Sequence, residues 1–264
     1  MDWTLYWFMF PAAIMVSGSA MLSGIGGAAL FMPIYVLIFP LLGPQYPFET
    51  TILAVIVSLI TMSFSFASGV SVYAAKRQID FKLALSFLVI SVPIAFCASL
   101  MAPYFDDRVI LTAYAILILA IAVSLYCPRQ AHPQDSTMLR KLIMTSMGGF
   151  TTGTASVGIG EVVMPQLIAR GLKGGLAAGT SVFIVFVTVL ASSFVLGLQL
   201  MQRHDVEIPW NVICYTVPGV LIGAQIGPRL QGIIPQRKFE IGIAVLFIII
   251  AITTLLVVFR RSVY

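Results

Sequence analysis

This 264-residue sequence has unusually few charged residues. It has 15 Lys and Arg residues and 10 Asp and Glu residues, so 9% of the chain is charged while 59% is hydrophobic. A soluble domain carries about 25% charged residues, and a chain so poor in charge cannot cover a water-facing surface. The composition excludes a cytosolic enzyme, a disordered protein and a nucleic-acid binder, despite a formal net charge of +5. It predicts a multi-pass membrane protein.

Histidine and cysteine are also scarce, with two and three residues respectively. His132 and His204 lie in polar loops without a helical cluster of His, Asp or Glu, so the ligands of a membrane metalloenzyme are missing. No P-loop sequence appears, so the chain does not itself hydrolyse ATP. These absences predict a protein that is not an enzyme and holds neither a metal nor a cofactor.

Long apolar segments are what the sequence has instead, and six of ten are long enough to cross a bilayer alone, which takes about 20 residues. The first two segments, and the sixth and seventh, are shorter, and a glycine-rich stretch joins each pair. Such segments predict half-helices or hairpins that turn inside the membrane. The ten segments lie at about 5–22, 28–42, 51–75, 83–102, 109–127, 142–157, 162–169, 176–201, 210–228 and 239–259.

The chain divides into two similar halves. Residues 1–127 and 142–264 are predicted transmembrane repeats of five segments each, joined by a polar linker over 128–141. Because five is odd, the second repeat starts on the opposite side of the membrane. We therefore predict an all-α fold of two inverted repeats whose broken segments meet near the midplane. The basic loop residues lie mainly on one side of the membrane, which predicts that the linker is cytoplasmic.

A glycine-rich tip occurs once in each half. Glycine lets the chain turn and lets a ligand approach, and the helix after each tip begins with free N–H groups and a positive dipole end. Two such ends are suited to binding one small anion. Close packing of membrane helices is the alternative explanation for the small residues. The predicted substrate-binding residues of the tips and the segments after them are Ser23, Gly24, Gly26, Gly27, Pro33, Gly158, Gly160, Pro165 and Gln166.

Glu161 is the only acidic residue deep within an apolar segment, directly after the second tip. An ionisable group inside a membrane is by default a candidate functional residue. We predict that it exchanges a proton during transport, because a negative charge there would repel an anionic substrate. The alternative is a first-turn acid that stabilises its own helix end.

Four further polar residues inside apolar segments, Ser58, Thr180, Ser181 and Gln225, are predicted to bond substrate oxygens. Such side chains also bridge helices or bond to their own helix carbonyls, and that alternative stays open. The small-residue faces fit packing within one chain or between two copies, so a homodimer is an open alternative to a monomer.

The glycine tips resemble a known family. Gly24 to Ala28, continuing to Pro33, is similar to the signature of TauE/SafE-type sulfite exporters, which is repeated in each half, and 218–227 resembles a further family pattern. The resemblance spans about 17–259. It implies secondary transport of sulfur-containing or organic anions, such as sulfite, sulfoacetate or other sulfonates, across a bacterial inner membrane. We expect the two inverted repeats to provide alternating access by rocking around the glycine tips. Ala28 replaces a frequent third glycine, and Glu161 stands where glycine-rich members have a small residue.

Two other classes of function are compatible with the composition. A passive anion channel would dissipate a gradient without exchange against preloaded substrate. A membrane scaffold or assembly factor would show no stabilisation by ligand, whereas a binding site must stabilise the fold as it fills. Transport is the favoured hypothesis, with a small anion and the lipid bilayer as the expected partners.

Overall fold

The computed structural model confirms the all-α fold class. All regular secondary structure in the part of the chain that it describes is helical. Gly26, Gly27 and most of the predicted linker lie outside that part. The described residues are 3–24, 28–43, 48, 50–126, 138–202, 208–231, 233 and 236–263.

The helices follow the predicted segments closely. A π-helical stretch, Ile34–Ile38, connects α2 to α3, and short 3₁₀ helices lie at Trp3–Tyr6 and Ala102–Tyr104. The α-helices are α1 (Met9–Ser23), α2 (Ala28–Pro33), α3 (Phe39–Leu42), α4 (Thr51–Ala75), α5 (Phe81–Met101), α6 (Asp107–Tyr126), α7 (Met138–Ala155), α8 (Ile159–Ala169), α9 (Gly174–Met201), α10 (Trp210–Leu230) and α11 (Gln236–Val263).

Among the described residues, five helices are long and apolar enough to cross a membrane: α4, α5 with its 3₁₀ extension, α6, α9 and Ile241–Phe259 of α11. The sequence predicts a sixth span at 210–228. That segment forms α10, whose 21 residues suffice in length, but Asn211 and Gln225 interrupt its apolar surface. Five of the six predicted single spans are confirmed as span-length apolar helices, and the span at 210–228 stays a prediction.

The short segments form two helix pairs. The first helix pair consists of α1 and the broken helix over 28–42, and the second consists of α7 and α8, which pack on each other. At the centre of the protein α4 packs on α9, and the spanning window of α4 is 72% buried, compared with 28% in α11. The helix pairs are attached to this centre, with α1 packed on α10 and α7 packed on α5.

Both of these attachments depend on glycine. On α10, a β-carbon on Gly223 would overlap the carbonyl oxygen of Ile14 in α1. On α7, a β-carbon on Gly153 would lie 2.5 Å from the carbonyl oxygen of Ala95 in α5. Small residues let membrane helices approach to backbone contact, where van der Waals packing stabilises them. The packing interpretation of the small residues is therefore correct at these two seams.

Candidate functional site

The second tip is a strained turn between α7 and α8. Ser156 has φ +59° and Gly158 has φ +129°, both in the left-handed region that L side chains avoid. A β-carbon on Gly158 would overlap Oγ1 of Thr151, so only glycine fits at this position. Because strain of this kind clusters at functional sites, the second tip is a candidate site.

Two side chains satisfy the start of α8. The Gly158 N–H donates to Oε2 of Glu161 over 3.0 Å, and the Ile159 N–H donates to Oγ1 of Thr152, also over 3.0 Å. Glu161 is only 7% exposed. Its carboxylate thus lies beside the positive end of its own helix, which is the position that an anion favours. The predicted first-turn interaction is present, and the predicted proton exchange stays a prediction.

A small cavity lies against this tip. It has a volume of about 10 Å³, at the lower limit for one water molecule. Both central helices contribute to its wall, with Phe66 from α4 and Val185 and Val189 from α9. The tip contributes residues 156–161 and Thr152, so the cavity joins the second helix pair to the centre of the fold.

The first tip is held by different contacts. Gly24 has φ +67°, and its carbonyl oxygen accepts a hydrogen bond of 2.9 Å from Oγ of Ser181 in α9. A β-carbon on Gly24 would lie 3.0 Å from Cα of Ala178 and 3.3 Å from Sδ of Met164 in α8. The predicted residues Gly24 and Ser181 are therefore in contact. Through Met164, the first tip also touches the second helix pair.

A buried tyrosine on α6 lies near both helix pairs. The Tyr114 hydroxyl on α6 donates to the carbonyl oxygen of Ala29 over 2.5 Å, and it lies within electrostatic range of Glu161. Ala29 directly follows the first tip, and Glu161 follows the second. Sequence reasoning did not identify Tyr114, because nothing in a single polar residue of an apolar segment indicates which distant elements it joins.

Other predicted residues contact protein groups. The Asp80 N–H donates to Oγ1 of Thr180 over 3.0 Å, at the turn between α4 and α5. Nε2 of Gln225 donates to Oγ of Ser68 over 2.8 Å and so bridges α10 to α4. These contacts are the helix-bridging alternative of the sequence analysis, and a role in substrate binding stays a prediction.

The remaining predicted residues lie in the two helix pairs and in α4. Ser23 bonds to the Ser19 carbonyl oxygen over 2.9 Å, and Nε2 of Gln166 bonds to the Val162 carbonyl oxygen over 3.1 Å. Three others are placed by their helices: Gly160 in the first turn of α8, Pro33 at the end of α2 and Pro165 inside α8. Ser58 is fully buried in α4.

A pair of cations lies at the α5, α7 and α8 ends that the sequence analysis predicts to be cytoplasmic. Nζ of Lys141 lies 4.4 Å from the ring centre of Phe87, and the Arg170 guanidinium lies 5.3 Å from it. Lys141 also donates to Oγ of Ser86 over 2.7 Å. Burial, and then the like charge of Arg170, lower the pKa of Lys141 below its usual value. The cations place positive charge where an anion would enter from that side.

Within the described residues, no group of three or more His, Cys, Asp or Glu side chains is placed to hold a metal ion. His132 and His204 lie outside those residues. The spanning helices, the buried glycine seams and the strained tip together define a multi-pass membrane protein.

Comparison with known proteins gives the family. Residues 9–254 match the description "Sulfite exporter TauE/SafE". The chain belongs to this family, and it is a membrane transporter and not an enzyme.

Three curated relatives carry matching names. "Probable membrane transporter protein YjnA" of Bacillus subtilis (strain 168) is 24% identical over 80% of this chain and 85% of the relative. "Probable membrane transporter protein YunE" of the same strain is 22% identical over 80% and 82%. "Probable membrane transporter protein" of Xylella fastidiosa (strain Temecula1 / ATCC 700964) is 24% identical over 88% and 87%. No solved structure gives a significant match.

Proposed function

We propose that this transporter moves small sulfur-containing or organic anions, such as sulfite, sulfoacetate or other sulfonates, across the inner membrane by alternating access. The family supports the sulfur oxyanion as the substrate class. One observation carries the proposal: the Glu161 carboxylate occupies the buried N-terminus of α8, 3.0 Å from the Gly158 N–H. This contact supports an anion site at the second tip, one that the chain's own acid fills in this structure.

The proposed mechanism is competition between Glu161 and the substrate. When Glu161 is ionised, it accepts the hydrogen bond at the second tip and repels a second anion. When it is protonated, its charge is lost and its oxygen becomes a weaker acceptor, so a substrate oxygen competes better for the Gly158 N–H. Binding of the anion and of a proton then favour each other, which couples transport to the proton gradient. The Tyr114 hydroxyl donates to the Ala29 carbonyl oxygen beside the first tip.

The packing of the helices supports the inverted-repeat part of the proposal. Exchanging the two halves pairs α1 with α7, α4 with α9, α5 with α10 and α6 with α11. Under this exchange the α1–α10 contact becomes the α7–α5 contact, and the α4–α10 contact becomes the α9–α5 contact. The α4–α9 and α6–α11 contacts exchange into themselves. This relation is the one expected of two repeats around a common axis that alternately open to either side.

The test is transport by purified protein in liposomes. We expect saturable uptake of labelled sulfite or sulfoacetate that accelerates as the outside pH falls and that shows counterflow against preloaded substrate. Glu161→Gln keeps a side-chain oxygen for the tip but removes the titratable proton, so uptake should persist and lose its pH dependence. Uptake without counterflow would indicate a channel, and unchanged pH dependence in Glu161→Gln would refute the coupling. No movement of any sulfonate, sulfite or small carboxylate would reject the proposed function.

A further inference from the structure

The π-helical stretch Ile34–Ile38 places a tyrosine hydroxyl in the interior of the protein. Tyr35 is fully buried, and its ring stacks on Phe48 with ring centres 4.7 Å apart. Its hydroxyl faces those of Thr61 on α4 and Thr216 on α10, without a hydrogen bond of good geometry to either. π-Helical turns occur frequently at functional sites. Three separate elements thus bring their hydroxyls together at this point.

Three of the buried hydroxyls without partners lie on the π-helical stretch and on α4. Within the described part of the chain, the hydroxyls of Tyr35, Ser58 and Thr61 have no hydrogen-bond partner, and all three residues are 0% exposed. Ser58 and Thr61 are three residues apart on α4 and therefore share one face of that helix. An unpaired buried hydroxyl costs stability, so a cluster of them requires an explanation.

The usual partner of a helical hydroxyl is available but is not used. Ser and Thr side chains in helices commonly donate to the carbonyl four residues earlier. Ser63, two residues after Thr61, does so to Leu59 over 2.8 Å, and Thr188 does so to Ile184 over 2.9 Å. Ser58 and Thr61 lie in the same kind of helix and make no such bond. Their donors are therefore free for a group outside the chain.

The equivalent place in the other half is satisfied internally. Ser91 and Thr216 each stand two residues before a helical proline, Pro93 and Pro218 respectively. Oγ of Ser91 lies 2.9 Å from Oγ1 of Thr188, so these two hydroxyls bond to each other. At Thr216 the Tyr35 hydroxyl is present instead, and no matching closed pair forms. At this position the two halves therefore differ in how their hydroxyls are paired.

We infer that Tyr35, Ser58 and Thr61 bind the oxygen atoms of the transported anion as hydrogen-bond donors. The inference rests on the proposed transport function and adds a second binding position to it. Phe66 on α4 lines the cavity at the second tip. Thr61 is five residues before it, so the two residues are about 7.5 Å apart along the helix axis. Neutral hydroxyls bind sulfonate or sulfite oxygens without trapping the charge, which suits a step on a transport pathway.

The test compares two buried tyrosines. Tyr73 on α4 is also 0% exposed, but its hydroxyl donates to the Met21 carbonyl oxygen over 2.6 Å. Tyr35→Phe should leave the melting temperature of the ligand-free protein unchanged or raise it, because it removes an unpaired hydroxyl. It should also raise the half-saturating concentration of sulfite or sulfoacetate roughly tenfold to hundredfold. Tyr73→Phe should do the reverse, lowering the melting temperature and leaving half-saturation unchanged.

A second pair of variants repeats the comparison with threonine. Thr61→Val should weaken anion binding in thermal-shift titration and raise the KM of uptake in liposomes, with the ligand-free melting temperature preserved. Thr188→Val removes a hydroxyl that is bonded to Ser91 and should lower the melting temperature without changing KM. If Tyr35→Phe and Thr61→Val destabilise the protein and leave binding unchanged, these hydroxyls are structural and the inference is overturned.

The outcomes separate this inference from the function on which it rests. If the unaltered protein neither binds nor moves sulfite or sulfoacetate, the proposed function fails and this inference fails with it. If the unaltered protein transports them and the Tyr35 and Thr61 variants do so with unchanged KM, only the hydroxyl position is refuted. Loss of affinity in both variants with an intact fold supports both.

Discussion

The two glycine tips are similar in sequence but are stabilised in different ways. The second tip is closed from within its own helix pair, by Glu161 and Thr152, and it borders a cavity. The described part of the first tip is held from outside, by Ser181 of α9. The helices after the tips differ as well, since α8 is regular while the first broken helix contains the π-helical stretch with Tyr35. The buried acid thus follows the second tip, and the π-helical stretch with its tyrosine follows the first.

The largest expected effect separates the two tips by steric strain. Gly158→Ala forces a side chain into a left-handed conformation and into Thr151, which together should cost roughly 2–5 kcal/mol of unfolding free energy. Gly24→Ala meets Ala178 at 3.0 Å and should cost less, about 1–2 kcal/mol. Thermal unfolding in detergent measures both. Gly171→Ala is the control, because Gly171 also has positive φ but has nothing within 4 Å. Equal losses in all three variants would show that only backbone conformation matters.

A smaller effect is expected at the seams that hold each helix pair. Gly223→Ala should separate α10 from α1, and Gly153→Ala should separate α7 from α5, each at a cost of about 1–3 kcal/mol. The measurement is the melting temperature together with the yield of monodisperse protein. Gly242→Ala is the matched control because a β-carbon there meets nothing within 4 Å, and it should be neutral. A loss at only one seam would show that the two attachments are not equivalent.

Removing the acid cap at the second tip should cost about 1 kcal/mol. Glu161→Ala leaves the Gly158 N–H without its side-chain acceptor, as in other cap deletions. Glu161→Gln keeps an acceptor oxygen and should retain most of that stability. The difference between the two variants in thermal unfolding isolates the hydrogen bond from the charge. Equal destabilisation by both would mean that the charge, and not the hydrogen bond, holds the tip.

The corresponding change at the first tip should have the smallest effect, about 0.5 kcal/mol, at the lower end of what a neutral hydrogen bond contributes. Ser181→Ala removes a neutral hydrogen bond to the Gly24 carbonyl oxygen, which is weaker than a bond to a carboxylate. Unfolding of the variant measures this loss, with Thr253→Ala as a control because its hydroxyl is exposed and bonds to its own helix. A loss larger than that of Glu161→Ala would reverse the order of the two tips.

Much of the fold could be predicted from the sequence because each spanning helix is encoded locally by about 20 apolar residues. The glycine tips were visible for the same reason, since a turn needs only neighbouring residues. The partners of polar side chains were not predictable. Ser181 bonds to Gly24 across 157 positions, and no local pattern distinguishes it from Ser58, which makes no bond. The π-helical turn at Tyr35 was also missed, because it depends on packing against distant helices.

The cross-packing of the helix pairs has a consequence for how the two halves depend on each other. The first pair lies against α10 of the second half, and the second pair lies against α5 of the first half. Each half therefore supplies the surface that the other half's glycines or small side chains need, and neither is a mechanical unit alone. In the proposed transport cycle, a body that moves as a unit along these contacts contains helices from both halves of the sequence.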